Sequence, residues 1–489
     1  MLATSLPTAD WIVIGCYLAA SMAIGLAFGR GEQTAEGYLV GGRQFGWPLL
    51  LFSIVATETS TVTFLSLPGK SFADGGNLTF LQLAIGYIVG RLIVVWVLLP
   101  NFFRGDYLTA YQVLEERYGS GVRSLASVIF LVMRNVSDGL RLFLTGLLVS
   151  AATGLDFDVS VIVLAACTAA YAVVGGVTSV VVNDFVQFTM YTIGAVAALF
   201  VLLGDVPGGA TAVWEFASET GRLQLFDFSL SLTTSSVTLL SGVIGGAALT
   251  MASHGADHMM VQRYLCARSP RQAGIALGLS GPVVFAQFSL FLFVGIGLAC
   301  LYSTAPPEYA AEGGDQAFIG FIVNRLGIGL RGFVIASVLA ASMSTLSSSL
   351  NSSAGVVVSD LASWFCLPPD RSKTVAAARV ATVAACLFQI GIALVTYHFA
   401  LASSVIDAAL AVAGFSTGLL LGLYALAIWL GKVNQTVGVS GLLCGLVACC
   451  VVAFGLRLSW PWYSLVGSTT TIAAGLLFST FVRLNRTES

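Results

Sequence analysis

Charge is scarce in this chain. Its 22 Lys and Arg and 24 Asp and Glu amount to 9% of 489 residues, where a soluble domain carries about 25%. That shortage excludes an ordinary soluble domain, and a net charge of −2 argues against a nucleic-acid partner. Cysteine is sparse and scattered: Cys449 and Cys450 are adjacent but no CxxC pair exists, so neither a disulfide framework nor a zinc site is expected. Basic residues are missing from Met1 to Asp10, so no cleaved signal peptide is read there. Apolar surface, by contrast, is abundant. The chain is 57% hydrophobic with a mean hydropathy of +0.91, which predicts a polytopic membrane protein whose main partner is the lipid bilayer.

About 20 apolar residues are needed to cross the hydrocarbon core as a helix. The pattern predicts an all-α protein with thirteen spans, at 10–29, 47–68, 79–100, 122–152, 157–174, 179–204, 234–256, 272–302, 328–362, 374–399, 403–430, 436–456 and 461–482. No soluble domain fits between them. The polar connections 205–233 and 303–327 have room for a short surface helix each. With the N-terminus outside, the inner loops collect Arg30, Arg43, Arg104, Arg117, Arg123, Arg263, Arg268, Arg271, Arg371, Lys373, Arg379, Lys432, Arg483 and Arg486. The outer loops collect only Lys70, Arg222, Arg325, Arg331 and Arg457. The bias of inner over outer cations predicts an outside N-terminus and a cytoplasmic C-terminus.

Two spans are interrupted. The second holds Thr57-Glu58-Thr59-Ser60-Thr61 near its middle, and the seventh holds Gly242, Gly245 and Gly246 and then His254-Gly255. Broken segments at corresponding places five spans apart suggest two inverted repeats. The expected division is an extra first helix and loop at 10–46, repeats at 47–204 and 234–430, and two further helices at 436–482.

The polar residues inside the apolar runs carry the functional reading. Asp184 follows Val180, Val181, Val182 and Asn183, and a carboxylate in hydrocarbon usually marks an ion or substrate path. Ser344, Ser347 and Ser348 share one helix face, with Thr345 turned toward the next. One carboxylate with several neutral oxygens suits a monovalent cation, whereas calcium draws more carboxylates. The competing readings are a helix cap for Asp184 and close helix packing for the serines. Glu58 could line a solute cavity, pair with an arginine or be protonated. Arg134, Asp138 and Arg141 form one stripe on the fourth span. It reads either as an internal salt-bridge lock or as part of a site for an anionic or zwitterionic solute, with Arg91 adding positive charge. Two motifs are decoys. Gly327-Ile328-Gly329-Leu330-Arg331-Gly332 matches GxGxxG but opens a membrane span with no preceding strand. His254, Asp257 and His258 are read as a loop after the broken helix, not as a metal site.

Five segments taken together resemble the sodium/solute symporter family. They are Phe52 to Gly69, Tyr111 to Tyr118, Gly175-Gly176 leading to Asn183-Asp184, Val261-Gln262-Arg263-Tyr264, and Ser344 to Ser352, in the family's order. The resemblance implies a leucine-transporter fold, with five plus five inverted helices, one before and two after, and sodium-driven import without covalent catalysis. It implies a conserved sodium site at Ala56, Thr59, Ala341, Ser344 and Thr345, and a second at Asp184, Ser344, Ser347 and Ser348. Within the family the motifs are nearest to the bacterial sialic-acid transporters, in which Ser60, Thr63 and Phe80 match solute-side positions. The chain departs from that branch at Ser137, where the branch has an arginine, and at Ala84, where it has a glutamine. Glu58 replaces a neutral residue, as an acid does in the proline-transporting branch. The expected activity is therefore sodium-coupled symport of a small polar solute, a carboxylate or sugar acid, with no obligate protein partner. The alternatives are a sodium/sugar or sodium/amino-acid symporter, or proton coupling through Glu58 or Asp184.

Overall fold

The computed structural model describes residues 6–29, 34–233, 237–304, 314–365, 371–399, 405–430 and 434–487. In chain order the helices are α1 (Thr8–Gly29), α2 (Ala35–Val40), α3 (Trp47–Glu58), α4 (Leu67–Phe72), α5 (Leu81–Ile93), α6 (Gln112–Tyr118), α7 (Ser120–Thr153), α8 (Phe157–Asp205) and α9 (Gly209–Glu219). They continue as α10 (Gly246–Ala256), α11 (His258–Leu265), α12 (Pro270–Thr304), α13 (Gly314–Arg325), α14 (Leu330–Asp360), α15 (Arg371–His398), α16 (Val405–Leu430), α17 (Gln435–Cys450) and α18 (Tyr463–Thr487). No strand occurs among the described residues, only an isolated bridge between Phe45 and Ala267.

Among the described residues, nine helices are long and apolar enough to cross a membrane. The bent pair Trp47–Glu58 and Val62–Phe72, angled by 66°, makes a tenth. The chain leaves the helix at Thr59, which is extended at φ −79° and ψ 108°. A run of hydroxylated and β-branched residues from Thr57 to Thr63 explains this, since such side chains are stiff and compete for backbone hydrogen bonds. The expected spans 157–174 and 179–204 both fall in α8, which turns at Gly176 with φ 57° and ψ −162°. That combination is essentially reserved for glycine. The expected spans 234–256 and 461–482 correspond to a helical stretch ending in α10 and to α18, which are not among the ten. The connections 205–233 and 303–327 hold α9 and α13.

Two expectations need correction. The seventh span does not break at its glycines, which lie in a continuous helical stretch from Ser241 to Ala256. It breaks at Asp257, extended at φ −79° and ψ 120°, and resumes as α11. The segment read as a loop from His254 to His258 is therefore two helix ends, because the Asp257 carboxylate accepts from the Met259 N–H at 2.8 Å and caps a new helix. Arg263 was counted among inner loop cations; it lies in α11 and is fully buried. Of the other cations counted there, Arg30 and Lys432 lie outside the described residues, as do the side chains of Arg371, Arg483 and Arg486 and the span limits 234 and 403.

The core is organised around α14, which packs against α8, α7, α15 and α1 and is buried along nearly all its length. Its Ala, Ser and Gly composition permits this, since small side chains let helices approach closely where lipid supplies no hydrophobic drive. The broken helix α3–α4 packs on α12, and α10 packs on α5 and α16. Both helix breaks thus end inside the bundle.

Candidate functional site

The end of α3 leaves backbone carbonyls without helical partners. Thr345, on α14, meets them: its hydroxyl is 3.1 Å from the Thr57 carbonyl, 3.5 Å from that of Thr59 and 3.4 Å from that of Ala341. Thr59, Ala341 and Thr345 are thereby brought together, with Ala56 buried in the last turn of α3. Thr57 joins them through its carbonyl, which the sequence reading did not assign. Ser344 is fully buried, and its hydroxyl donates to Asp184 Oδ1, away from this group.

Asp184 lies within α8 and is fully buried; it is not a helix cap. Its Oδ2 accepts from Ser53 at 2.6 Å and Thr57 at 3.5 Å, and lies 3.9 Å from an Arg263 nitrogen. Ser348 bonds Thr57 at 3.1 Å and also accepts from Arg263. Ser347 faces elsewhere: its hydroxyl donates to the Ser344 carbonyl at 3.2 Å and neighbours Tyr171. The structure adds Ser53, Thr57 and Arg263 to this cluster. Ser53 and Thr57 are an i, i+4 pair before the helix break, a spacing visible in the sequence. Arg263 was hidden because an arginine in a short segment reads as a solvated loop charge. Both groups of oxygens, carbonyls with hydroxyls and a carboxylate with hydroxyls, have the chemistry of a hard monovalent cation's ligands.

A cavity lies beside the two helix breaks. Glu58, Ser60, Thr63, Phe80, Arg134 and Arg141 line it, together with Tyr87, His254, Asp257 and Phe288. Its volume is about 90 Å³. Asp138 was placed among the solute-side residues; it lies behind the two arginines instead. Both its oxygens are occupied, by Arg134 at 2.7 Å twice and by Arg141. Arg134 also reaches Asp257 at 3.5 Å. The expected surplus of positive charge is therefore balanced, because the break at Asp257 delivers a further carboxylate.

Two charged groups keep free valence here. Arg141 uses one terminal nitrogen on Asp138, and its Nε has no hydrogen-bond partner among the described residues. Glu58 is 19% exposed and is bound through Oε2 by Arg91, with His254 at 3.6 Å. Its Oε1 has no partner among the described residues. Phe80, Phe288 and Tyr87 supply an aromatic wall, with ring centroids 5.9 Å and 6.1 Å apart. His254 donates or accepts toward Tyr264 at 2.6 Å, and no group of three potential metal-binding side chains exists among the described residues.

Broken helices meeting inside a bundle, hard-cation oxygens at the breaks and a polar cavity beside them define a cation-coupled transporter and not an enzyme. The model of the sodium:solute symporter family matches residues 38–445, and the chain belongs to that family. It is 28% identical to the sodium/sialic acid symporter NanT of Aliivibrio fischeri, covering 99% of this chain and 95% of that protein. It is 29% identical to the rabbit sodium-dependent multivitamin transporter, over 96% of this chain and 72% of that one. Among solved structures it is similar to a substrate-bound, outward-open Na⁺-coupled sialic acid symporter. The TM-score is 0.87 at 25% identity, covering 97% of this chain and 98% of the other. The expected all-α leucine-transporter fold and sodium coupling are borne out.

Proposed function

We propose that this protein imports a small polar solute bearing a carboxylate across the cell's inner membrane, driven by sodium entering down its gradient. The observation that carries the solute reading is the Arg141 guanidinium, which lines the cavity beside the break of α3 with one terminal nitrogen on Asp138. A guanidinium is suited to a planar carboxylate. The free Oε1 of Glu58 in the same cavity favours a second hydrogen-bond donor on the solute, so amino acids stand beside simple carboxylates. Ser60 and Thr63 provide neutral hydroxyls, and Phe80 the apolar contact.

In this reading sodium is held by the carbonyls of Ala56, Thr59 and Ala341 and the hydroxyl of Thr345, while the Ser344 hydroxyl, expected here, serves Asp184 instead. A second sodium is held by Asp184 with Ser344 and Ser348, and Ser53 and Thr57 take the place expected of Ser347. Filling the first site ties the broken helix to α14 and orders the adjacent cavity, so sodium binding favours solute binding. Rocking of the two repeats, 47–204 and 234–430, then exposes the sites to the other side. The helices at 10–46 and 436–482 flank them. The excess of inner cations supports an N-terminus outside and a C-terminus in the cytoplasm.

The test is uptake into proteoliposomes of a panel holding short carboxylates, sugar acids, amino acids, betaine and neutral sugars, each with and without a sodium gradient. We expect accumulation of at least one carboxylate-bearing solute with sodium. Accumulation driven by a proton gradient alone would move the coupling to Glu58 or Asp184. Uptake of a neutral sugar, unaffected in Arg141→Gln, would overturn the carboxylate reading.

A further inference from the structure

Beyond Asp184, on the side of α2 and α6, polar atoms without partners accumulate between α11 and α14. Asn351 is 1% exposed, yet neither its carboxamide oxygen nor its nitrogen has a hydrogen-bond partner among the described residues. The same holds for Gln262 Oε1, His258 Nε2 and Arg263 Nη1, all on fully buried residues. Each unpaired buried polar group normally costs stability, and a concentration of them calls for an explanation in water or ions.

Their arrangement is directional. Ser348, Asn351 and Gly355 are spaced i, i+3, i+7 and form one stripe on α14. Ser348 touches Arg263 beside Asp184. A Cβ on Gly355 would stand 3.5 Å from His258 Nε2 and 4.0 Å from Gln262 Nε2. Asn351 lies between these contacts on the face turned to α11. Gln262 in turn donates to the Leu39 carbonyl of α2 at 2.8 Å. The stripe therefore leads from the Asp184 cluster to the short helix α2 between the first two membrane helices. Acceptors and donors alternate along it. His258 Nδ1 accepts the Ala110 N–H at 3.3 Å, so the neutral ring carries its proton on Nε2. Asn351 Oδ1 and Gln262 Oε1 are free acceptors.

We propose that this stripe is a transit site for a monovalent cation with part of its water shell, on its way from the Asp184 cluster to the cytoplasm. The inference rests on the sodium-symport reading and adds a site to it. Asn351 Oδ1 and Gln262 Oε1 face the cation, and His258 Nε2–H and Asn351 Nδ2 hold its waters. Two neutral oxygens bind weakly, as a release step requires: attractive enough to enter, weak enough to leave. Arg263 stays between the two places. Held by Ser348 and adjacent to Asp184, it screens the carboxylate once the cation has moved on and so opposes recapture.

The experiment uses Asn351→Leu and Asn351→Ser in the full chain, in proteoliposomes, with the panel solute that the parent accumulates. Net uptake down a sodium gradient requires sodium release inside; solute exchange with equal saturating NaCl on both sides does not. For Asn351→Leu we expect net uptake at least tenfold slower, exchange near the parental rate, and an unchanged rise of Tm with NaCl. Its Tm without sodium should equal or exceed the parent's, because an unpaired amide has been removed. Asn351→Ser, which restores an oxygen, should fall between the two in net uptake, at least threefold below the parent. Net uptake of Asn351→Leu within twofold of the parent overturns the proposal, as does an equal loss of exchange and net uptake. If the leucine variant does not fold, Asn351→Ser decides by the same two criteria. A parent whose Tm and uptake ignore sodium refutes the symport reading, and the transit site with it.

Discussion

Asp184→Asn preserves the shape of the side chain and removes its charge, which separates two roles that the structure superimposes. The carboxylate is fully buried, receives Ser53 at 2.6 Å and lies 3.9 Å from Arg263. Two unit charges at that distance attract by about 4 kcal/mol at an effective dielectric of 20. Removing one partner of a buried pair costs about 3–5 kcal/mol, because the other charge is stranded. Asp184→Asn should therefore lower Tm, and Asp184→Asn with Arg263→Gln should recover much of the loss, a coupling measurable as a double-mutant cycle. Sodium affinity should not recover. Exchanging a charged for a neutral oxygen ligand forfeits about 1.5–3 kcal/mol, which is roughly a 10- to 150-fold weaker site at 1.4 kcal/mol per tenfold. The assay is Tm of the purified protein against NaCl, with choline chloride holding ionic strength, followed by the Hill coefficient of sodium-dependent uptake. A folded single or double variant whose sodium midpoint and Hill coefficient match the parent's would refute the cation role and leave Asp184 as Arg263's counter-ion.

Three further expectations follow from the geometry. Thr345→Ala removes the hydroxyl lying within 3.5 Å of three carbonyls and should raise the sodium midpoint of uptake roughly tenfold, at about 1–1.5 kcal/mol per lost contact, with Thr345→Ser close to the parent. Arg141→Gln should express normally and raise the KM for a carboxylate solute at least tenfold, whereas Arg134→Gln strands Asp257 and leaves Asp138 with Arg141 alone, and should reduce folded yield, read by size-exclusion chromatography. Gly176→Ala should lower Tm, since the position needs φ 57° and the new Cβ would stand 2.7 Å from the Tyr38 carbonyl oxygen; equal Tm values would mean that the turn in α8 relaxes freely.

The sequence alone determined that this chain is an all-helical membrane protein, because apolar runs of bilayer length and missing charge are local properties. It also located the break at Thr57–Thr61, since a hydroxylated, β-branched run weakens its own helix. Asp184, the serine face of α14 and the Arg134–Asp138–Arg141 stripe were legible as polar residues that hydrocarbon would not tolerate unpaired. Pairing across helices was not legible. That Arg263 comes to Asp184, Arg91 to Glu58 and Asp257 to Arg134 depends on where two broken helices meet, and no spacing along one helix encodes it. For the same reason Ser344 and Ser347, read as neighbours on one face, part company: one turns to Asp184 and the other toward Tyr171. Hydrophobicity sets which segments enter the membrane. Which buried charge answers which is decided by the packing of helices distant in sequence, where a residue's surroundings come from its neighbours in space.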